Sequence, residues 1–268
     1  MIDAHVHLWT LGSNGCRWPT PDLAPIHRDF ALDDLRPSLA AAGVDGVVLV
    51  QSQEDSADTS WLLGIAADPL VLGVVGWTDL LAENAVDAVE RLALEPKLCG
   101  LRPMVQDLPD DWYDDPRLDP AFAAMAEHGL VLDALVRPRH LAALHRLAGR
   151  HRDLDIVVDH AAKPDFLSVD AWREAMEPLA DCPNILCKYS GLLTEVRPDH
   201  APGEIDRAFH LIWSWFGPDR LIWGSDWPVL NLAGSYSEWL GLARQLVPRS
   251  DQPAVFGGNA RWIDGLGE

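Results

Sequence analysis

The sequence predicts an α/β fold, a (β/α)8 TIM barrel that forms a single domain over residues 1–268. Short apolar runs alternate with amphipathic helical patterns along the chain, which is typical of βα units around a parallel sheet. Eight such units can be counted, and 268 residues is an ordinary length for one barrel. Several polar or charged side chains follow the apolar runs directly, at the end of a barrel where functional groups lie.

The predicted strands are short apolar runs, as expected for strands that are buried on both faces. In chain order they lie within Met1–Trp9, Gly46–Val50, Val71–Trp77, Leu98–Arg102, Leu130–Val136, Leu154–Asp159, Asn184–Ser190 and Leu221–Gly224. Pro103 ends the fourth run and Pro228 prevents the eighth from continuing, because proline cannot donate to a sheet ladder.

Apolar residues at helical spacing follow each predicted strand. They are Leu32, Leu35 and Leu39; Trp61, Leu62 and Ile65; Ala85, Val89 and Leu92; Phe122, Met125 and Ala126; Leu141, Leu144 and Leu147; Trp172, Ala175 and Met176; Ile205, Phe209 and Ile212; and Trp239, Leu242 and Leu246. Gly43 is expected to end the first of eight helices. Gln106–Pro120 is expected to form a loop over the barrel mouth, and Gly12–Pro25 either a lid or a surface excursion.

Composition restricts the partners of this protein. The formal net charge of −20 argues against nucleic acid and anionic membrane surfaces, which are bound through basic patches. No apolar run reaches the length of a membrane span, and no basic, apolar leader precedes the first strand, so a cytoplasmic location is expected. The four cysteines lack metal-type spacing and are expected to be free thiols. The expected partner is a small-molecule substrate, and the oligomeric state stays open.

The first strand carries a His-x-His motif. Side chains alternate along a strand, so His5 and His7 are expected to point to the same face, with Asp3 in line. Two imidazoles on one face can share a metal ion, a substrate oxygen or a proton. An edge strand with two partly exposed histidines would show the same spacing, so the motif alone does not define a site.

A carboxylate, Asp226, follows the eighth predicted strand in the run Gly224-Ser-Asp-Trp-Pro228. An acid at the carboxyl end of a parallel strand lies where barrel enzymes place catalytic groups. Asp is also a common turn-capping residue, so this position is equally compatible with a structural role.

The carboxyl ends of all eight strands meet on one face of a barrel, which is the reason to treat the residues there as one site. These residues are His5, His7, Gln51, Trp77, Arg102, His160, Lys188 and Asp226. Lys188 stands where an apolar residue is expected, and a lysine within a buried strand needs a partner or a substrate.

Motifs spread over nearly the whole chain resemble the amidohydrolase superfamily, and within it the amidohydrolase-2 branch of sugar-lactone and pyrone-dicarboxylate lactonases. They are Asp3-Ala-His-Val-His-Leu-Trp9, Leu49-Val-Gln-Ser-Gln53, Gly100-Leu-Arg-Pro103, Val158-Asp-His-Ala-Ala-Lys-Pro164, Lys188-Tyr-Ser-Gly191, Gly224-Ser-Asp-Trp-Pro228 and Gly258-Asn-Ala260. The resemblance implies that Asp226 is the general base. It also implies that His5, His7, His160 and Arg102 frame the substrate.

The same resemblance argues against a two-metal centre. Binuclear members bridge their ions with a carboxylated lysine or a Glu on the fourth strand, where this chain has Arg102, and metal-binding members end the fifth strand with a His that is missing here. A single ion held by His5, His7 and Asp226 would still satisfy an open three-ligand site. The expectation is therefore no obligatory cofactor, or one divalent ion such as zinc.

The predicted function is hydrolysis of a lactone ring, a carboxylic ester. Asp226 would take a proton from water and return it to the departing ring oxygen, and His5, His7, His160 and Lys188 would donate to the developing oxyanion. Two alternatives stay open from other classes: a zinc-dependent decarboxylase of the same superfamily, and a sugar-binding barrel without catalysis.

A neutral sugar lactone of the fucose or rhamnose type is the expected substrate. Aromatic faces pack against sugar rings, and Trp9, Trp77 and Trp227 fall at or near strand ends, with Trp18 in the first long loop. Gln51, Gln53 and Glu54 can bind hydroxyl groups without a charged ligand. The rival substrate, a carboxylated pyrone or muconolactone, needs several cations, for which the chain offers Arg102 and Lys188, with Arg139 and Lys163 as further candidates.

Overall fold

The barrel consists of eight parallel strands that pair in chain order. The structure is a computed structural model, and it describes residues 1–196 and 203–266. The strands are β1 (Ile2–Val6), β2 (Gly46–Val50), β3 (Val71–Gly76), β4 (Leu98–Leu101), β5 (Val131–Ala134), β6 (Ile156–Val158), β7 (Ile185–Tyr189) and β8 (Leu221–Trp223). The circle closes just past β8, where His7 N donates to Trp227 O at 2.8 Å and Asp226 N donates to His5 O at 2.9 Å.

Helices surround the sheet. They are α1 (Leu32–Ala42), α2 (Ser56–Ile65), α3 (Ala85–Leu92), α4 (Asp119–Glu127), α5 (Leu141–Arg150), α6 (Val169–Met176), α7 (Leu192–Glu195), α8 (Glu204–Phe216), α9 (Tyr236–Leu246) and α10 (Asn259–Ile263). The expected number of eight was therefore too low for the part of the chain that is described. The two extra helices, α7 and α10, span 4 and 5 residues, too few to produce a periodic apolar stripe. No helix among residues 1–196 and 203–266 is long and apolar enough to cross a membrane.

Apolar runs and helix-ending signals located the elements correctly. Strand β2 has the predicted bounds, and α1 ends at Gly43, which adopts φ +69° as a left-handed cap requires. Strand β5 is shorter than predicted, because Leu135 and Val136 remain buried after the ladder ends. Burial extends past the last hydrogen bond, so hydrophobicity overestimates strand length.

The core has two parts, separated by the sheet. Val47 and Leu49 of β2 pack outward with the apolar residues of the helices. Val48 and Val50 pack inside the barrel with Ile2 and with α10, which covers the end of the barrel where the strands begin. The other end, where the strands finish, is left for polar side chains.

A bulge in β1 changes the expected orientation of Asp3. Asp3 pairs with Val47 and Val6 with Leu49, so three steps along β1 match two along β2. The extra residue turns His5 into the barrel and leaves Asp3 outside, where its carboxylate accepts from Tyr236 OH at 2.9 Å. The expectation that Asp3 lies in line with His5 and His7 was wrong, because strict alternation holds only for a regular strand.

Candidate active site

A cavity of about 230 Å³ opens at the carboxyl ends of the strands. Ten of its fourteen lining residues are polar or charged, and one, Trp18, is aromatic. The lining residues are His7, Trp18, Ser52, Arg102, Met104, Gln106, Leu135, Arg137, His160, Lys163, Thr194, Glu195, Asp226 and Val229. Its position agrees with the expectation that one face of the barrel carries the site.

Three imidazoles surround one carboxylate oxygen at the floor of this cavity. Asp226 Oδ1 lies 3.4 Å from His7 Nε2, 3.8 Å from His5 Nε2 and 3.9 Å from His160 Nε2. His5 and His7 are closer still to each other, with 3.1 Å between their Nε2 atoms. All four side chains are buried, so their interactions are weakly screened by water.

The outer ring nitrogens determine where the protons lie. His7 Nδ1 is 2.8 Å from the carbonyl oxygen of Val50, which can only accept, so His7 carries its proton on Nδ1. His5 Nδ1 faces Asp159 Oδ1 at 3.5 Å, which favours the same tautomer for His5. Both Nε2 atoms then present lone pairs to one another and to the Asp226 carboxylate. Such a group of electron-rich atoms favours a shared proton or a bound cation.

His5, His7 and Asp226 therefore fit a single metal ion. Nitrogen and oxygen ligands of a tetrahedral zinc ion lie about 3.4 Å apart, close to the observed spacings of 3.1, 3.4 and 3.8 Å. The contact of His7 Nδ1 with a carbonyl is the usual orienting contact of a metal-binding histidine. A second group, His5, Asp159 and His160, shares His5 with the first, but its carboxylate already binds two cations.

The ionisation of the site follows from burial and neighbouring charge. Burial alone would raise the pKa of Asp226, but the neighbouring imidazoles of His160, His7 and His5 outweigh burial and hold this pKa below its usual range. Burial lowers the pKa of His5 well below its ordinary value, against the opposing charge of Asp159. Burial also lowers the pKa of His160 to about 4. At neutral pH the site therefore contains a carboxylate beside neutral His5 and His160.

The segment after β8 presents Asp226 with unusual backbone geometry. Asp226 has φ +59°, a conformation that is uncommon for a residue with a side chain. The displaced carboxylate of Asp3 anchors this segment by accepting from Ser225 N at 2.8 Å. The bulge in β1 and the position of Asp226 are thus directly linked.

A left-handed turn after β6 presents His160 and Lys163. The four residues from His160 to Lys163 have φ between 48° and 58°, which costs about 1–2 kcal/mol for each residue with a side chain. Trp172 holds the turn by donating from Nε1 to Ala161 O at 2.7 Å. Gly191 packs so closely that a side chain there would overlap the His160 ring. The strain is concentrated where two side chains enter the cavity.

Lys188 does not line the cavity. Its ammonium lies inside the barrel below the floor, bonded to Asp133 and 3.4 Å from Asp159 Oδ1. Burial opposes its charge, yet these two carboxylates raise the pKa of Lys188. Of the two possibilities for this lysine, a partner or a substrate, the structure gives a partner. Direct donation from Lys188 to an oxyanion is not supported, because the ammonium is buried in this pairing.

Arg102 joins the buried charges to the cavity. Its Nη1 lies 3.3 Å from Asp159 Oδ2 and 3.4 Å from His5 Nε2, and its Nη2 donates to Gln51 O. The guanidinium occupies the fourth-strand position where a binuclear centre needs an anionic bridge. The sequence indicated Arg102 and Lys188 but missed their carboxylate partners. Asp159, which both cations contact, directly follows β6, and Asp133, which bonds Lys188, interrupts the otherwise apolar β5.

Several predicted substrate contacts lie outside the cavity lining. Trp9 is 1% exposed and donates from Nε1 to Arg28 O, and Trp227 packs edge-on against Phe30. Gln51 is fully buried and donates to Arg102 O at 2.7 Å. Trp77 is half-buried and lies outside the lining.

Residues of the two long loops line the cavity where those predicted substrate contacts were expected. Trp18 enters the cavity from the Gly12–Pro25 loop, which Gln53 holds through Trp18 O at 2.7 Å. Gln106 enters from the other long loop. Sequence reasoning missed Thr194 and Glu195 because they lie several residues past the end of β7, in the short helix α7 that brings them back to the cavity.

The fold and this arrangement define a barrel hydrolase of the amidohydrolase class, with a His-x-His strand facing an aspartate beyond the eighth strand. The Amidohydrolase family profile, for the amidohydrolase-2 branch, matches residues 2–263. The chain belongs to this family.

Two relatives and one solved structure are similar over nearly the whole chain. An L-fucono-1,5-lactonase from Burkholderia ambifaria is 47% identical, covering 97% of this chain and 93% of the relative. An L-fucono-1,5-lactonase from Burkholderia multivorans is 32% identical, covering 97% and 94%. A crystal structure of an amidohydrolase from Burkholderia multivorans, with bound zinc, superposes with a TM-score of 0.92 at 32% identity, covering 99% of each chain.

Proposed function

We propose that this protein is a lactonase, a carboxylic-ester hydrolase that opens the ring of a neutral sugar lactone of the fucono-1,5-lactone type. The observation that carries the proposal is the Asp226 carboxylate held among three imidazoles at the floor of a cavity sized for a small molecule. The likeness to the two L-fucono-1,5-lactonases supports the sugar lactone as substrate. The decarboxylase and the non-catalytic sugar-binding barrel are not favoured.

Asp226 acts as general base in this proposal. It takes a proton from the water that attacks the carbonyl carbon of the lactone, and such proton transfer typically contributes about 10²–10⁴ in rate. The carboxylate is ionised well below neutral pH, so it is ready to accept a proton at the start of each turnover.

The developing oxyanion needs donors on the cavity side. Ser190 Oγ lies 2.9 Å from His160 Nδ1, and a hydroxyl that donates there places the proton of neutral His160 on Nε2, toward the cavity. His160 then donates to the oxyanion, and the Arg102 guanidinium stabilises it electrostatically. Lys188 has no direct role here, since it acts on Asp159 and through it on Arg102 and His5.

One divalent ion, for which zinc is the best candidate, would be held by His5, His7 and Asp226. A bound zinc ion supplies Lewis acidity and lowers the pKa of a coordinated water to about 7. Without the ion, the protein still provides the base, the oxyanion donor and the ordered imidazoles. The proposed reaction therefore does not require a metal ion.

The charges of the cavity favour a neutral substrate over a dicarboxylated pyrone. Each of the three cations in the lining already has a partner in the chain. Arg102 pairs with Asp159, Arg137 lies 3.9 Å from Asp107, and Lys163 donates to Gln106 Oε1 at 2.7 Å. Glu195 adds a negative charge to the lining, against which a second carboxylate would have to bind. Trp18 offers an aromatic face for the apolar side of a sugar ring.

We further propose that the whole chain acts as one catalytic domain in the cytoplasm. The family match over residues 2–263 and the strand order β1 to β8 support one domain. The four free cysteines support a reducing compartment such as the cytoplasm.

A pH-indicator assay over a panel of aldonolactones and carboxylated lactones tests the function. Wild-type protein should hydrolyse a neutral sugar lactone, and Asp226→Asn should lose about 10²–10⁴ in kcat. Asp219→Asn is the control, because Asp219 lies outside the cavity lining and precedes β8. Turnover of carboxylated lactones only would refute the sugar substrate, and an active Asp226→Asn protein would refute the mechanism.

A further inference from the structure

We propose that Lys163 is the general acid of the reaction and that its ammonium group protonates the ring oxygen as this oxygen leaves the carbonyl carbon. This inference rests on the lactone hydrolysis proposed above and adds a second proton-transfer residue to it. Asp226 then handles the proton of the attacking water, and Lys163 handles the proton of the leaving group.

The position of Lys163 supports this role. It lines the same cavity as Asp226 and stands at the end of the left-handed turn that begins with His160. Its Nζ donates to Gln106 Oε1 at 2.7 Å, which holds the amine at the cavity wall and leaves its other hydrogens for a substrate. Within this strained turn Ala161 and Ala162 pack in the core, and the Lys163 side chain that follows them is directed into the cavity.

Lys163 differs from the arginines of the cavity lining in its ability to release a proton. Arg102 and Arg137 also line the cavity, but a guanidinium does not release its proton in proteins, whereas a lysine ammonium does. His160 is neutral at neutral pH because its pKa is lowered to about 4. Apart from the imidazole of His7, Lys163 is the cationic group able to release a proton among the described lining residues.

The surroundings of Lys163 improve it as an acid. Burial lowers the pKa of the Lys163 ammonium, and the positive charges of Arg137 and Arg102 act in the same direction. Glu195 and Asp226 oppose this shift with their negative charges. An ammonium of lowered pKa donates its proton more readily near neutral pH, as general acid catalysis requires.

The proton balance closes with these two residues. Water adds to the carbonyl carbon while Asp226 takes one of its protons, which gives a tetrahedral adduct with a negatively charged oxygen. The carbonyl re-forms as the bond from this carbon to the ring oxygen breaks, and the ring oxygen keeps the bonding electron pair and takes a proton from Lys163. The proton on Asp226 then returns to Lys163, and the new carboxylic acid ionises, so each turnover releases one proton.

Replacing Lys163 by arginine and by methionine tests the proposal on the sugar lactone. Arginine retains the charge and the hydrogen-bonding capacity but cannot release a proton, so both variants should lose about a hundredfold or more in kcat. Retention of kcat within tenfold by Lys163→Arg would show a charge-only role and overturn the proposal. Lys97→Met is the matched control, because Lys97 Nζ bonds Val71 O near the start of β3, at the opposite end of the barrel.

A change of leaving group gives a second readout that a structural role would not affect. Dihydrocoumarin is a six-membered lactone whose leaving group is a phenoxide, with a conjugate acid of pKa about 10, so it departs without an acid. If wild-type protein accepts it, Lys163→Met should lose less than tenfold on this substrate, and equal losses on both lactones would overturn the proposal. If it does not, the arginine variant decides alone. Wild-type protein without turnover of any lactone would refute the lactonase function itself, and the proposal with it.

Discussion

Replacing Lys188 by methionine should destabilise the protein strongly, because the change leaves carboxylates unpaired inside the barrel. Lys188 and Asp133 are 1% and 0% exposed, and Asp159 is 0% exposed. Removing one partner of a buried pair typically costs about 3–5 kcal/mol, since the remaining charge is left without compensation. For a chain of 268 residues, an unfolding entropy of about 2.1 cal/mol/K per residue converts this loss into a Tm decrease of about 5–9 °C.

Denaturant unfolding of the single and double variants measures this effect. Asp133→Asn in the Lys188→Met background removes the carboxylate that has lost its partner, while Asp159 remains paired with Arg102. The double variant should therefore be less destabilised than the sum of the single variants, with a coupling energy of about 2 kcal/mol. A Lys188→Met protein as stable as wild type, or strictly additive losses, would refute the ion-pair reasoning.

Three further predictions follow from the site. First, the free energy of unfolding should depend on pH through His160, because its pKa in the folded protein, about 4, lies below the ordinary 6.5. The contribution of neutral His160 to stability, about 3 kcal/mol, is complete above pH 6.5 and is lost as the pH falls to 4. Unfolding free energies at pH 8 and pH 4.5 should therefore differ less in His160→Gln than in wild type, and an unchanged difference would contradict the prediction. Second, Gly191→Ala should lose at least tenfold in kcat through displacement of His160, whereas Gly129→Ala, which has φ +66° and open space around it, should retain kcat and lose about 1–2 kcal/mol of stability. Equal activity of the two alanine variants would disprove this packing argument. Third, elemental analysis after zinc loading should find at most one ion per chain, lost in His7→Ala, and two tightly bound ions would overturn the single-ion site.

Hydrophobic patterning determined the secondary structure of this protein. The run Gly46–Val50 is apolar throughout and became β2 with the same bounds, because burial on both faces leaves no place for a polar residue. Gly43 ended α1 because a left-handed cap favours glycine. Once the order of strands and helices is known, barrel closure brings His160 and Asp226, 66 residues apart in the sequence, to 3.9 Å from each other.

Contacts between distant segments decided the rest. The bulge in β1 depends on pairing with β2, so the strand alone could not reveal that Asp3 faces Tyr236 and not the site. The sequence indicated that Lys188, a lysine in a buried strand, requires a partner. Only the packing of β5, β6 and β7 shows that Asp133 and Asp159 are its partners.

Contacts between distant segments also determine which residues form the wall of the cavity. Lys163 enters the cavity from a turn and Glu195 from the short helix α7, and the positions of both depend on the whole barrel. Trp18, not Trp9, supplies the aromatic face of the cavity. Local sequence specifies which residues are buried or form strands, because that depends on each segment's own polarity and period. Which polar groups meet one another depends on register, bulges and loop paths, and these are determined only when all eight strands are in place.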